Sequence, residues 1–163
     1  MPLEPPDVQH LNAAPGFLAL DMYEEANAEL EEIHPFCRAL PEVLHVRLGI
    51  YAGAKKWELL QVVAKKLAEY DSSDPQWIIS LAYATRRVES LQAASAILVD
   101  GLELHAEEPI IHYNLGCYAC QLGDLNAAQE YLKRAFEIQP KCREMALEDS
   151  DLKPLWDSIS THC

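Results

Sequence analysis

The chain has 163 residues, 50% of them hydrophobic, which suits one domain with a continuous core and no need of metal or disulfide staples. Thirteen Lys plus Arg stand against 26 Asp plus Glu, and the resulting charge of -13 repels phosphate backbones and anionic membrane surfaces, so neither nucleic acid nor membrane is an expected partner. No apolar run reaches bilayer length and the opening MPLEPPDVQH has no secretory pattern, so a cytoplasmic location is expected; five irregularly spaced cysteines read as reduced thiols.

The predicted elements are helices in pairs. In the first pair, residues 7–40, Pro15 lies inside the first helix and removes a backbone hydrogen bond, which predicts a kink or a shortened helix. The second helix, MYEEANAELEEI, puts Ala26, Leu30 and Ile33 on one face and most of its glutamates on the other. Pro41 opens the second pair, residues 41–74. There Leu48-Gly49 precedes a turn at Gly53-Ala54-Lys55, and KWELLQVVAKKLAEY turns Trp57, Leu60, Ala64 and Leu67 inward. Asp71-Ser72-Ser73-Asp74 supplies a turn and a cap ahead of Pro75.

The third pair, residues 75–108, has Ile78, Leu81 and Ala82 on its first helix and Leu91, Ala94, Leu98 and Gly101 on its second. Arg86 and Arg87 end the first of these helices, where cations complement the helix dipole. The fourth pair, residues 109–142, is the most regular. Ile111, Leu115 and Tyr118 recur at helical spacing, Leu122-Gly123-Asp124 makes the turn, and Leu125, Ala128, Leu132, Ala135 and Phe136 line the second helix, with Glu130 to Arg134 spaced for an ion pair. Gly116 costs about 1 kcal/mol relative to alanine inside a helix, which points to a close approach of the two helices there. Beyond Pro140, Lys141 to Glu148 can form one more helix and Ser150 can cap a last one, with Met145, Leu152, Leu155 and Trp156 expected over the open end of the last pair, about residues 143–160.

A step of thirty-four residues (109 − 34 = 75, 75 − 34 = 41) joins Pro109 to Pro75 and Pro41, and one step more reaches Asp7. The same step joins Ala128 to Ala94, Leu60 and Ala26; Leu132 to Leu98, Ala64 and Leu30; and Leu125 to Leu91, Trp57 and Tyr23. Each set is apolar throughout, as stacked copies of one helical hairpin require. With Leu115-Gly116, Gly123, Ala128, Leu132, Ala135 and Pro140 in place, residues 109–140 resemble a tetratricopeptide repeat, a hairpin of about 34 residues, with His112 where that family often has tryptophan. The stretch ALEDSDLKPLWDSI is similar to a terminal segment found after some bacterial arrays of this family.

The resemblance implies an all-α, right-handed superhelical solenoid of about four hairpins with a C-terminal capping helix, forming a single domain over residues 1–163. It further implies a concave groove lined by the first helices, which in the family holds peptides or partner helices. On that mapping the partner-binding residues are His45, Ile79, Tyr83, Arg86, Arg87, Tyr113, Asn114, Cys117 and Cys120, with Leu11 and Val46 on the same faces. A second reading stays open, in which these side chains pack against neighbouring helices or the C-terminal segment. Apolar and aromatic groups beside Arg86 and Asn114 suit a peptide with apolar anchors and an acidic group.

Chemistry other than binding finds no support in the sequence. The six glycines form no phosphate-binding loop, HExxH and GxSxG are absent, and the six histidines keep no catalytic spacing with acids, so no enzyme and no cofactor is expected. Cys117-Tyr118-Ala119-Cys120 has redox or zinc spacing near His112, yet no second ligand pair completes a site, so no metal is expected. The reading is therefore a non-enzymatic scaffold for a protein or peptide partner. Its alternatives are a type III secretion-like chaperone, matched only in size, acidity and repeat class, a self-associating adaptor and, less favoured, a thiol or metal protein acting through Cys117 and Cys120. Co-chaperones that grip the carboxylate end of a heat-shock protein need lysines on successive first helices, and these are missing; only Asn12 and Asn114 recur.

Overall fold

Prolines start the helices of this chain where they cost least. In the computed structural model, which describes residues 2–161, α1 (Pro5–Leu18), α3 (Pro41–Gly53), α5 (Pro75–Val88) and α7 (Pro109–Gln121) each begin at a proline, whose missing N–H would have no intrahelical partner there. The helices that follow them in the chain are α2 (Tyr23–Glu32), α4 (Trp57–Tyr70), α6 (Leu91–Gly101) and α8 (Leu125–Ile138), so these begin at one common phase, 23, 57, 91 and 125. Helix α1 packs on α2, α3 on α4 and α7 on α8. Then come α9 (Lys141–Glu148), a 3-10 segment (Ser150–Leu155) and α10 (Trp156–Thr161), and there is no strand among the described residues.

One expectation is sharpened and one corrected at the amino terminus. The first helix does not wait for Asp7 but begins two residues ahead, at Pro5, near the expected start; the Asp7 carboxylate is buried and accepts a hydrogen bond from the His34 backbone N–H at 2.9 Å. Nor does Pro15 shorten α1, which continues to Leu18 and closes with the Ala19 N–H donating to the Pro15 carbonyl at 3.0 Å. Pro15 is exposed, on the outer side of the helix, where its ring displaces no core side chain.

The described residues up to Ala84 form one compact unit and those from Thr85 onward another. In the first unit, Ala14, Ala26, Leu30, Ile33, Cys37, Val43 and Ile50 make one apolar cluster, and Leu48, Leu60, Val63, Ala64, Leu67, Trp77 and Ala84 make a second. In the second unit, Ala94, Leu98, Ile111, Leu115, Tyr118, Ala128, Leu132 and Ala135 are buried, as are Cys142, Ala146, Leu152, Leu155 and Ile159 of the C-terminal elements. The two inner series of the thirty-four-residue step are closed to water: Ala26, Leu60, Ala94, Ala128, Leu30, Ala64, Leu98 and Leu132 are all at most 2% exposed. The third series, Tyr23, Trp57, Leu91 and Leu125, stands at the helix starts and is only partly covered.

Between α7 and α8 a side chain on Gly116 would meet Leu132 Cγ at 2.7 Å and Cδ2 at 2.9 Å, which is the close approach expected there. In α3, Gly49 lies one residue past the matching phase, since 116 − 68 = 48. One residue turns a helix by about 100°. Gly49 accordingly faces Leu18 of α1, and Gly53 faces the ring of Tyr23 at the start of α2, rather than the partner helix α4.

Three of the four hairpin turns use a left-handed residue at the same phase: Asp21 (φ 57), Lys55 (φ 56) and Gly123 (φ 86). Ser90 caps α6 and Asp124 caps α8, accepting from Ala93 N and Ala127 N at 3.0 Å each, while Asp74 caps α5 by accepting from Gln76 N at 2.9 Å. Arg134 does not pair with Glu130. It reaches Glu107 at 2.5 Å and Glu137 at 3.5 Å instead, because Glu107, in the connection before α7, offers a nearer carboxylate.

Candidate interaction surface

Two stretches of first-helix surface are available, and they differ in what covers them. In the unit ending at Ala84, His45 on α3 is exposed and its ring meets the edge of Trp77 on α5 at 5.2 Å. Ile79 is half-buried, and Tyr83 is 39% exposed with its ring edge-on to Trp57 of α4 at 5.8 Å. Leu11 and Val46 are partly buried and pack against the first apolar cluster. His45 and Tyr83 stay accessible while Trp77 is buried beneath, so the exposed rings offer area at little entropic cost.

The second unit presents Tyr113, Cys117 and Gln121 at successive helical turns on one stripe of α7, with Arg86 from the end of α5 beside them. This stripe is not bare. The Tyr113 hydroxyl donates to Asp149 Oδ2 at 2.9 Å, and the Cys117 thiol points at the same oxygen at 3.6 Å. Arg86 Nη1 and Nη2 both donate to Asp151 Oδ2 at 3.2 Å, Nη2 also reaches Gln121 Oε1 at 2.9 Å, and the guanidinium lies 5.1 Å from the centre of the Tyr118 ring. The segment that supplies these carboxylates is locked by its own geometry, as Asp149 Oδ1 accepts from the Asp151 N–H at 3.0 Å and caps the 3-10 segment.

Consequently Tyr113, Cys117 and Cys120 are each no more than 5% exposed, while Asn114 and Arg86 are half-buried and Arg87 is exposed. Of the predicted groove residues, Tyr113, Cys117 and Arg86 are brought together on the C-terminal segment, and His45, Ile79, Tyr83 and Arg87 remain on accessible or half-accessible surface. The expectation for Met145 is corrected. It is 41% exposed, and Ala146 and Cys142 of α9 are buried in its stead. Leu152 and Leu155 sit inward as expected, and Trp156 is anchored by its Nε1 donating to the Ala146 carbonyl at 3.0 Å.

Burial, reinforced by the facing Asp149 carboxylate, pushes the Cys117 thiol well above its ordinary range. Burial and the hydrogen bond to Asp149 do the same for the Tyr113 phenol, and burial raises Cys120 and Cys142. A thiol held protonated is a poor nucleophile and a poor metal ligand. Among the described residues no group of three or more His, Cys, Asp or Glu side chains could hold a metal ion, and Cys37, Cys117, Cys120 and Cys142 are not joined in disulfides. No described helix is long and apolar enough to cross a membrane.

Residues 109–142 match the family model described as tetratricopeptide repeat, which is the fourth hairpin and the element that carries the covered stripe. The chain contains a tetratricopeptide repeat. Solved tetratricopeptide-like structures share its fold. A MamA double mutant superposes with a TM-score of 0.73 at 16% identity, over 88% of this chain and 78% of that one. A crystal structure of MamA gives 0.67 at 17% identity, over 90% and 88%. The crystal structure of YrrB, described as a TPR protein with an unusual peptide-binding site, gives 0.66 at 12% identity, over 94% and 77%. No curated protein matches the sequence.

Within the tetratricopeptide repeat, His112 at the position often held by tryptophan is buried, with Nε2 2.8 Å from the Ala106 carbonyl. The residues that sequence reasoning missed are Asp149, Asp151 and Gln121. Two aspartates flanking a serine before an apolar residue were the available signal.

Proposed function

We propose that this chain is a non-enzymatic protein-interaction scaffold that binds a peptide or helix of a partner protein on the surfaces of its first helices. The observation that carries this reading is the stripe on α7 with Arg86 of α5 beside it, which already receives the capped 3-10 turn at Asp149–Leu152 through a phenol, a thiol and a guanidinium. Donors fixed on rigid helices, facing carboxylates on an incoming chain, are the elements of peptide recognition. The fold shared with YrrB, a protein described with a peptide-binding site, supports the same reading.

In the unit ending at Ala84 the corresponding surface would use His45, Ile79 and Tyr83. In the following unit it would use Arg86, Arg87, Tyr113 and Asn114. The test is site-specific photocrosslinking in the native host, with benzoylphenylalanine replacing Tyr83 on a first helix or Val99 on a second helix, both of which are exposed. A partner protein joined from position 83 and absent from position 99 is the expected result. Equal labelling from both positions, or none from 83, would overturn the reading.

A further inference from the structure

The covered stripe shows which peptide it fits. Between Asp149 and Leu152 four residues satisfy three kinds of group at once: Tyr113 and Cys117 donate to the first carboxylate, the Arg86 guanidinium takes the second in a forked contact, and the Leu152 side chain is fully buried beside them. The receiving side chains are donors throughout, in a chain whose overall charge is -13, and Arg86 is oriented from its other side by Gln121 and the Tyr118 ring. The recognition is local, because at physiological salt the general negative field is screened within about 8 Å.

We infer that the Asp149-Ser150-Asp151-Leu152 stretch is an internal occupant of a peptide site on α7, and that the site's external ligand is a partner segment of the same chemistry, two carboxylates two residues apart followed by leucine. This rests on the scaffold reading and names the class of partner. The ion pair that closes the site remains partly open to water, with side-chain exposures of 19% for Arg86 and 27% for Asp151. An exchange of one Asp-x-Asp-Leu stretch for another replaces like contacts with like, so the internal copy lowers the apparent affinity by the fraction of time it stays docked. The segment is thereby autoinhibitory as well as structural.

The experiment uses the full chain and a fluorescein-labelled peptide LEDSDLKPLW, the sequence of residues 147–156. In fluorescence anisotropy, the variant Asp149→Asn with Asp151→Asn, whose own segment is a weaker competitor, is expected to bind this peptide at least about tenfold more tightly than the wild-type chain. Adding Arg86→Ala to that variant, or changing both aspartates of the peptide to asparagine, is expected to abolish binding. No binding to either protein, or binding indifferent to Arg86, would overturn the inference.

Should the double variant lose helicity, hydrogen exchange on the wild-type chain decides instead. Amides of Asp151 and Leu152, both bonded to Asp149, are expected to exchange through openings that leave α8 protected. Exchange only together with α8 would make the segment a permanent cap and overturn the inference. A partner crosslinked from Tyr83 with no peptide bound at α7 would leave the scaffold reading standing and remove this one alone.

Discussion

The hairpins α3–α4 and α7–α8 obey the same thirty-four-residue step and solve the same packing problem differently. In α7–α8 the small residues face each other across the seam, Gly116 against Leu132 and the Ala128 carbonyl, so that any side chain at 116 must displace a buried neighbour. In α3–α4 the same two phases carry Leu48 and Leu60, both buried, and the glycines have moved round the helix to admit Leu18 and Tyr23 from the preceding hairpin. Close approach is thus placed within the hairpin in one copy and between successive hairpins in the other. The repeat keeps its phase, and the distribution of volume about that phase is free to change.

The sharpest way to break this comparison is to fill the α7–α8 seam. Gly116→Val adds volume against the fixed Leu132 side chain and a backbone carbonyl, and it is expected to cost about 3 kcal/mol, read as a lowered urea midpoint. A second test is pH. Because the folded Cys117 thiol is raised above its ordinary value of 9.0, its proton stays on in the folded chain after the unfolded chain has lost it. The folded state therefore binds more protons above that pH, and stability contributed by this group is complete below about 9 and declines as pH rises further. Tyr113, Cys120 and Cys142 are raised as well and add to the decline. The share of Cys117 is about 1 kcal/mol by pH 10, read by hydrogen exchange in α7 and α8 as the part of the loss that Cys117→Ala removes. The smallest effect is expected at Gly49→Ala, where the only close atom is the far end of the Leu18 side chain at 2.9 Å. There the helix-propensity gain of about 1 kcal/mol offsets the push on Leu18, leaving a net change within about 0.5 kcal/mol by the same urea titration.

The regular part of this fold was legible because it repeats. Ala128 and Leu132 could be stepped back through three further copies, and all eight positions proved closed to water, since one geometry imposes one demand at each phase. The ends of the array have no copy to be compared with. The first helix starts at Pro5, two residues ahead of Asp7, Pro15 is tolerated on its exposed side, and Met145 turns outward while Ala146 turns in, all of which depend on neighbours that a periodic argument does not contain. The candidate site divides the same way. Tyr113, Cys117 and Arg86 could be singled out by their phase on the first helices, whereas Asp149 and Asp151, which they contact, belong to a segment that occurs once.

The left-handed residues at the hairpin turns show which part of the repeat dictates to which. Gly123 adopts its positive φ without strain, yet Asp21 and Lys55 take the same conformation although a side chain disfavours it by about 1 kcal/mol or more. The turn is therefore imposed by the two helices it joins, and the residue at that point yields to them. Lys55→Gly should leave the hairpin unchanged and raise the melting temperature slightly, which would make these two turns places where the chain could still be made more stable without touching its core.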